Sequence, residues 1–214
     1  MKQRTDPSRF GIVVYEGVEP IDIGGTVGVI SMARRVLPGI NCVTIAAEPG
    51  LVHLAGGLSI VADAGFDACP PCDVYVVCGG PGWERQVTDP GMMTFLRRLP
   101  AGAAASVCTG GLILAAAGLL EGLRATTRRK AAGAEPAAPL ERLGAFSTAI
   151  QPVEAAVAED RGVVTSGGVS LAIDGTLYLI GRLYGAEARD EVARLIEYDR
   201  AFEANRAALG HAVS

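Results

Sequence analysis

The residues best suited to chemistry in this 214-residue chain are a cysteine and an acid that lie far apart in sequence. The run Ala103-Ala104-Ala105-Ser106-Val107-Cys108-Thr109-Gly110-Gly111 is apolar up to the thiol, then small, and then leads into an apolar stretch from Leu112 to Leu120. It predicts a strand, a sharp turn carrying Cys108, and a helix. Such a turn pushes a nucleophile clear of its sheet and sets backbone N–H groups beside it. The helix starting behind the sulfur adds partial positive charge, which favours thiolate over thiol. The competing reading is a small core residue, because free cysteine is among the most buried residue types. Asp22, shortly after Glu19 and Pro20, is by itself a residue that complements a helix start. Placed beside Cys108 it becomes a proton donor, and the pair then shares a proton, with protonated Asp22 bonded to a thiolate as a sensible resting state.

Two further clusters bear on chemistry. Gly79-Gly80-Pro81-Gly82 follows an apolar run and offers backbone amides to an anion, but Trp83-Glu84 stands where a phosphate loop needs Lys-Ser/Thr. Cys69-Pro70-Pro71-Cys72 has the spacing of a redox or metal pair. Only His53 and His211 could supply imidazole and there is no second cysteine pair, which argues against four-ligand zinc. A redox pair and a proline-rich loop entering the next strand remain as its readings. Five scattered cysteines, an odd number, do not form the framework of a secreted disulfide scaffold.

The elements that must position these groups alternate in type. Phe10 to Tyr15, Asn41 to Ala47, Asp73 to Cys78, Ala103 to Val107, Arg124 to Thr127 and Gly162 to Thr165 read as strands, with two extended pieces between Phe146 and Glu159. Leu51 to Val61 around Gly56-Gly57 reads as a hairpin. Ile21 to Val36, Pro90 to Leu99, Gly168 to Tyr184 and Ala186 to Tyr198 read as helices, the second opened by proline. Strands alternating with helices imply a mostly parallel sheet between helical layers. Open sheets of this kind place their sites beyond the carboxyl ends of the strands, where the Glu19–Asp22 segment, the glycine loop and Cys108 would meet.

Composition bounds the rest. Half of the residues are hydrophobic but only 5% aromatic, and 28 are glycine, so small and branched aliphatic side chains must build one tightly packed core. A net charge of −4, from 19 basic and 23 acidic residues, gives no electrostatic footprint for nucleic acid or an anionic membrane. The polar N-terminus and the absence of a membrane-length apolar run point to a cytoplasmic protein.

The chain resembles the ThiJ/PfpI superfamily, which has the class I glutamine amidotransferase-like, flavodoxin-like fold. Within that superfamily it is most similar to the isonitrile hydratase-like branch. The resemblance rests on Gly17-Val18-Glu19-Pro20-Ile21-Asp22-Ile23-Gly24-Gly25, Val76-Val77-Cys78-Gly79-Gly80-Pro81-Gly82, Ser106-Val107-Cys108-Thr109-Gly110-Gly111, Leu119 to Thr127, and Thr165-Ser166-Gly167-Gly168-Val169 through Tyr198-Asp199. It implies a three-layer α/β sandwich spanning 10–200 as a single domain, with a tail at 1–9 and a helix or tail at 201–214. It also implies Cys108 as nucleophile, Asp22 as the acid beside it, Thr109 as an assisting hydroxyl, and a homodimer with its sites near the subunit interface. Protease and amidase members carry histidine after the cysteine; Thr109 stands here, which argues against a Cys-His-acid triad. Hydratase-like relatives commonly continue Ala-Thr-Thr with histidine, whereas Arg128-Arg129-Lys130 follows here.

On this reading the Cys108 thiolate adds to an isonitrile carbon while Asp22 protonates it, and water then releases an N-substituted formamide without metal or organic cofactor. Backbone N–H groups of Gly79, Gly80 and Thr109 would face developing negative charge, and Arg128 would take acidic substrates or be a solvated surface residue. The partners are then a small molecule and a second copy, with no nucleic acid or membrane. The rival classes are a ligand-sensing module of the same fold and a thiol-based redox or carbonyl-stress protein. Regulators of this fold carry a helix-turn-helix region, for which the sequence beyond Tyr198 is too short.

Overall fold

The computed structural model describes residues 1–213. Its strands are β1 (Ser8–Val13), β2 (Ile40–Ala46), β3 (Gly50–His53), β4 (Ser59–Ala62), β5 (Ala64–Gly65), β6 (Val74–Val77), β7 (Ala104–Ser106), β8 (Arg124–Ala125), β9 (Gln151–Pro152), β10 (Val157–Asp160), β11 (Val163–Ser166) and β12 (His211–Val213). Eight of them form one sheet in the order β12-β10-β11-β7-β6-β1-β2-β5. Every neighbouring pair is parallel except β10 with β11. Both faces of the central strands are covered, which is why β6 reads Val-Tyr-Val-Val and is buried throughout rather than alternating. Helices Leu171–Tyr184, Ala186–Leu195 and Val29–Ala33 pack on one another, while Gly110–Ala116 packs with β6, β7 and Trp83–Gln86.

Local chemistry sets the element ends. Pro90 opens the helix Pro90–Arg97, and Asp89 Oδ1 accepts the Met92 N–H at 2.7 Å as its cap. The segment expected as one helix from Ile21 to Val36 is helical from Pro20 to Ala33, with a π-helical stretch at Gly24–Gly28. There the Thr26 hydroxyl bonds back to the Asp22 carbonyl at 2.9 Å. Leu51 to Val61 does form a hairpin, β3 antiparallel to β4, outside the main sheet. Arg124–Ala125 is a strand too, but it pairs with β9 in a separate ribbon.

Several expectations shift. The helix expected from Gly168 begins at Leu171; Val169, a β-branched residue, holds φ 60° in the turn before it. The boundaries drawn at 9/10 and 200/201 both fall inside elements. Ser8 and Arg9 belong to β1, and the Lys2 N–H donates to the Leu183 carbonyl at 2.8 Å. At the other end Asp199–Leu209 is a helix, and β12 then runs parallel to β10 as the outer strand of the sheet. Ser214, the last residue of that expected tail, lies outside the described residues. No helix among the described residues is long and apolar enough to cross a membrane.

Candidate functional site

Cys108 sits at the end of β7 with φ 52°, a left-handed backbone that a non-glycine residue adopts only under constraint. Three contacts impose it. Its N–H donates to the Gly167 carbonyl at 3.1 Å, its carbonyl accepts the Thr127 hydroxyl at 2.5 Å, and Gly111 N–H closes back onto the same carbonyl at 3.2 Å. Gly110 permits the turn, because a Cβ there would lie 2.0 Å from the Val77 carbonyl oxygen of the neighbouring strand.

The glycine loop after β6 holds the partners of the thiol rather than standing free. Gly79 N–H donates to Asp22 Oδ2 at 2.8 Å, and Gly80 N–H donates to Thr109 Oγ1 at 2.9 Å. Gly80 must be glycine: its φ is 144°, and a Cβ would fall 2.3 Å from the Glu19 nitrogen. The expectation that Gly79 and Gly80 amides stabilise negative charge on substrate is therefore corrected, since both N–H groups are already spent on side chains. Thr109 is at the cap position of Gly110–Ala116 but makes no side-chain cap bond. Its hydroxyl instead ties the glycine loop to the elbow.

Asp22 is fully buried, and its Oδ1 has no well-formed hydrogen bond among the described residues. Burial pushes its carboxyl up to about 7; the Gly79 N–H pulls down, Glu19 pushes up, and the Cys108 thiol and Arg128 pull down. Burial likewise pushes the Cys108 thiol up to about 11, and a negative Asp22 adds to this, against the N–H groups of Val169 and Thr109 and the charge of Arg128. Above about pH 7 the pair holds one proton, on sulfur, and below it Asp22 is protonated as well. Desolvation and the adjacent carboxylate thus work against the thiolate that the helix N-terminus favours.

Cys108 and Thr109 open onto a cavity of about 460 Å³ walled also by Glu19, Trp83, Arg128 and Val169. Asp22 lies behind the thiol and does not line it. Arg128 is mostly buried, forms an ion pair with Glu135 and donates to the Lys130 carbonyl at 2.5 Å. It is neither a solvated surface arginine nor an uncompensated cation. Val169 and Glu135 were not singled out from the sequence; the only trace of the first was its place after Gly167-Gly168 in a family-like stretch. Neither histidine lines the cavity: His53 pairs with Glu16 at 3.3 Å on the surface, and His211 stands on β12 between Tyr178 and Phe202.

This architecture has clear relatives. An isonitrile hydratase of Pseudomonas putida is 32% identical over 89% of this chain and 78% of that protein. The HTH-type transcriptional regulator GbdR of Pseudomonas aeruginosa is also 32% identical, over 92% of this chain but only 53% of the regulator. Among solved structures, a ThiJ/PfpI family protein from Pseudomonas syringae superposes with a TM-score of 0.76 at 28% identity, covering 91% of this chain and 76% of that one. DJ-1beta of Drosophila melanogaster shares the fold, with a TM-score of 0.73 at 20% identity over 89% of this chain and 98% of its own. Residues 9–182 match the DJ-1/PfpI family as a whole, the stretch that contains Asp22, the glycine loop and the cysteine elbow. The chain belongs to the DJ-1/PfpI family.

Proposed function

We propose that this protein hydrates isonitriles to N-substituted formamides, with Cys108 as nucleophile and Asp22 as its proton partner. The observation that carries the reading is the buried carboxyl held by Gly79 N–H behind a thiol that faces an open cavity. An isonitrile carbon needs a nucleophile and a proton at the same atom. As sulfur bonds to that carbon, the thiol proton passes to the Asp22 carboxylate, which returns it to the carbon; the product is a thioimidate, R–N=CH–S–Cys108. Water then adds to the same carbon, the nitrogen takes up a proton, and the C–S bond breaks to release the formamide and restore the thiol. A carboxyl near 7 suits both directions of this transfer at neutral pH. Thr109 and Val169 N–H groups, which face the sulfur, stabilise charge as the C–S bond forms and breaks. Similarity to a named isonitrile hydratase supports the substrate class.

A second reading, a ligand-sensing module, is favoured by the equal identity to a transcriptional regulator and by a thiol that rests protonated. A homodimer belongs to either reading. One experiment separates them: a panel of small isonitriles is incubated with the protein while formamide is followed. Turnover that disappears in Cys108→Ala and falls at least 100-fold in Asp22→Asn supports hydration, a loss of the size general acid–base groups supply. Saturable binding without formamide supports sensing instead.

A further inference from the structure

The Cys69-Pro70-Pro71-Cys72 turn takes no part in the cavity. It precedes β6, whereas Cys108 follows β7, and those strands run parallel, so the two thiol sites occupy opposite ends of the sheet. Both thiols are only half-buried, and both donate to one acceptor, the Pro70 carbonyl, at 3.3 Å each. Each also stands near enough to act on the other's ionisation: Cys72 draws Cys69 down, and Cys69 raises Cys72. The tyrosine hydroxyl of Tyr75 accepts the Cys72 N–H at 3.1 Å and stands beside both sulfurs.

We infer that Cys69 and Cys72 form a second active site of this protein, a dithiol that closes to a disulfide by exchange with low-molecular-weight disulfides. Two thiols gathered on one carbonyl oxygen are already oriented toward each other, so closing needs little chain movement. Cys69 is the attacking sulfur, since the Cys72 S–H can turn from the Pro70 carbonyl to the Cys69 thiolate and so favours the ionised form of Cys69. It loses its proton to water, bonds to one sulfur of the small disulfide and expels the other half as a thiolate, which takes up a proton. Cys72 then loses its proton, attacks the Cys69 sulfur of this mixed disulfide and expels the second small thiol. Two protein thiols are oxidised by two electrons, and one small disulfide is reduced to two thiols.

The loop also sets the character of the couple. Prolines at both middle positions remove the N–H donors that would otherwise steady a thiolate, and the Cys72 N–H is taken by Tyr75. Burial pushes both thiols up, Cys72 to about 12. Strongly oxidising pairs owe that property to a stabilised reduced form, which is missing here. The disulfide is therefore the favoured partner of the couple, and it forms slowly at neutral pH because little thiolate is present.

The test uses the full chain carrying Cys108→Ser, reduced, then exposed to excess oxidised glutathione, acid-quenched, alkylated and mapped by peptide mass spectrometry. The expected result is joint loss of alkylation at Cys69 and Cys72 with no glutathione retained, at a rate rising about tenfold from pH 7 to pH 8 as the thiolate fraction does. In the same background Cys72→Ser must stall as a glutathione adduct on Cys69. Two thiols still fully alkylated at equilibrium, or a stable glutathione adduct with Cys72 intact, would overturn the assignment.

Discussion

At the scale of single residues, the buried acid is costly and the cost depends on pH. Asp22 binds its proton more tightly folded, near 7, than its ordinary value of 3.8. A group raised in this way gives its full stability below the unfolded value and loses it as pH rises through the folded one. Asp22→Asn keeps a neutral acceptor for the Gly79 N–H, so its stability relative to the parent should grow between pH 4 and pH 8 by on the order of 4 kcal/mol. Urea unfolding of both proteins at the two pH values checks this; using the difference cancels Asp174 and His211, which titrate in both. Arg128 invites a second residue-level test. Because Glu135 neutralises it in the cavity wall, Glu135→Gln should free the guanidinium and lower KM for a carboxylate-bearing isonitrile several-fold, leaving a neutral one unchanged. Arg128→Ala should do the reverse, and an equal effect on both substrates would remove Arg128 from recognition.

At the scale of elements, the site depends on three loops that meet within hydrogen-bond reach. Gly80 lies where the loop after β6 crosses the Glu19–Asp22 segment, and it has no room for a side chain. Gly80→Ala should destabilise the chain by about 3 kcal/mol, the upper range for a single substitution, because the wrong φ and the clash act together. It should also release Asp22 and Thr109 from the amides that orient them, so turnover should fall further than the folded fraction does; urea unfolding and formamide assays on the same sample separate the two losses.

At the scale of the whole molecule, the helical segment from Pro20 to Ala33 faces two ways. Gly25 is used inside the chain, where it packs against Ala172 and its carbonyl accepts the Thr176 hydroxyl at 2.9 Å. Ile21, Gly24 and Gly28 are exposed on the other face, and the two glycines have open space where a Cβ would point. If this face joins two copies, sedimentation should show twice the 22.0 kDa chain mass, and Gly28→Arg should return it to one chain by placing a long charged side chain at a close contact. A single-chain species for the parent at micromolar concentration would reject the dimer.

The alternation of strands with helices, the all-apolar β6, the proline-opened helix at Pro90 and the elbow at Cys108 were all legible in the sequence, because periodicity and turn residues act over a few positions. So were Asp22 and Thr109 as neighbours of the thiol, through the resemblance. What the amides of Gly79 and Gly80 do was not legible: their donors are claimed by side chains from segments 57 and 29 residues away, which only the folded chain brings within 2.8 and 2.9 Å. The upward push on both members of the Asp22–Cys108 pair was not legible for the same reason. A helix N-terminus can be read from local sequence, but desolvation depends on how completely the rest of the molecule closes over a group. Val169 and the outer strand β12 belong to this class as well; each acquires its role from a distant partner, and sequence spacing carries no record of which distant segments will meet.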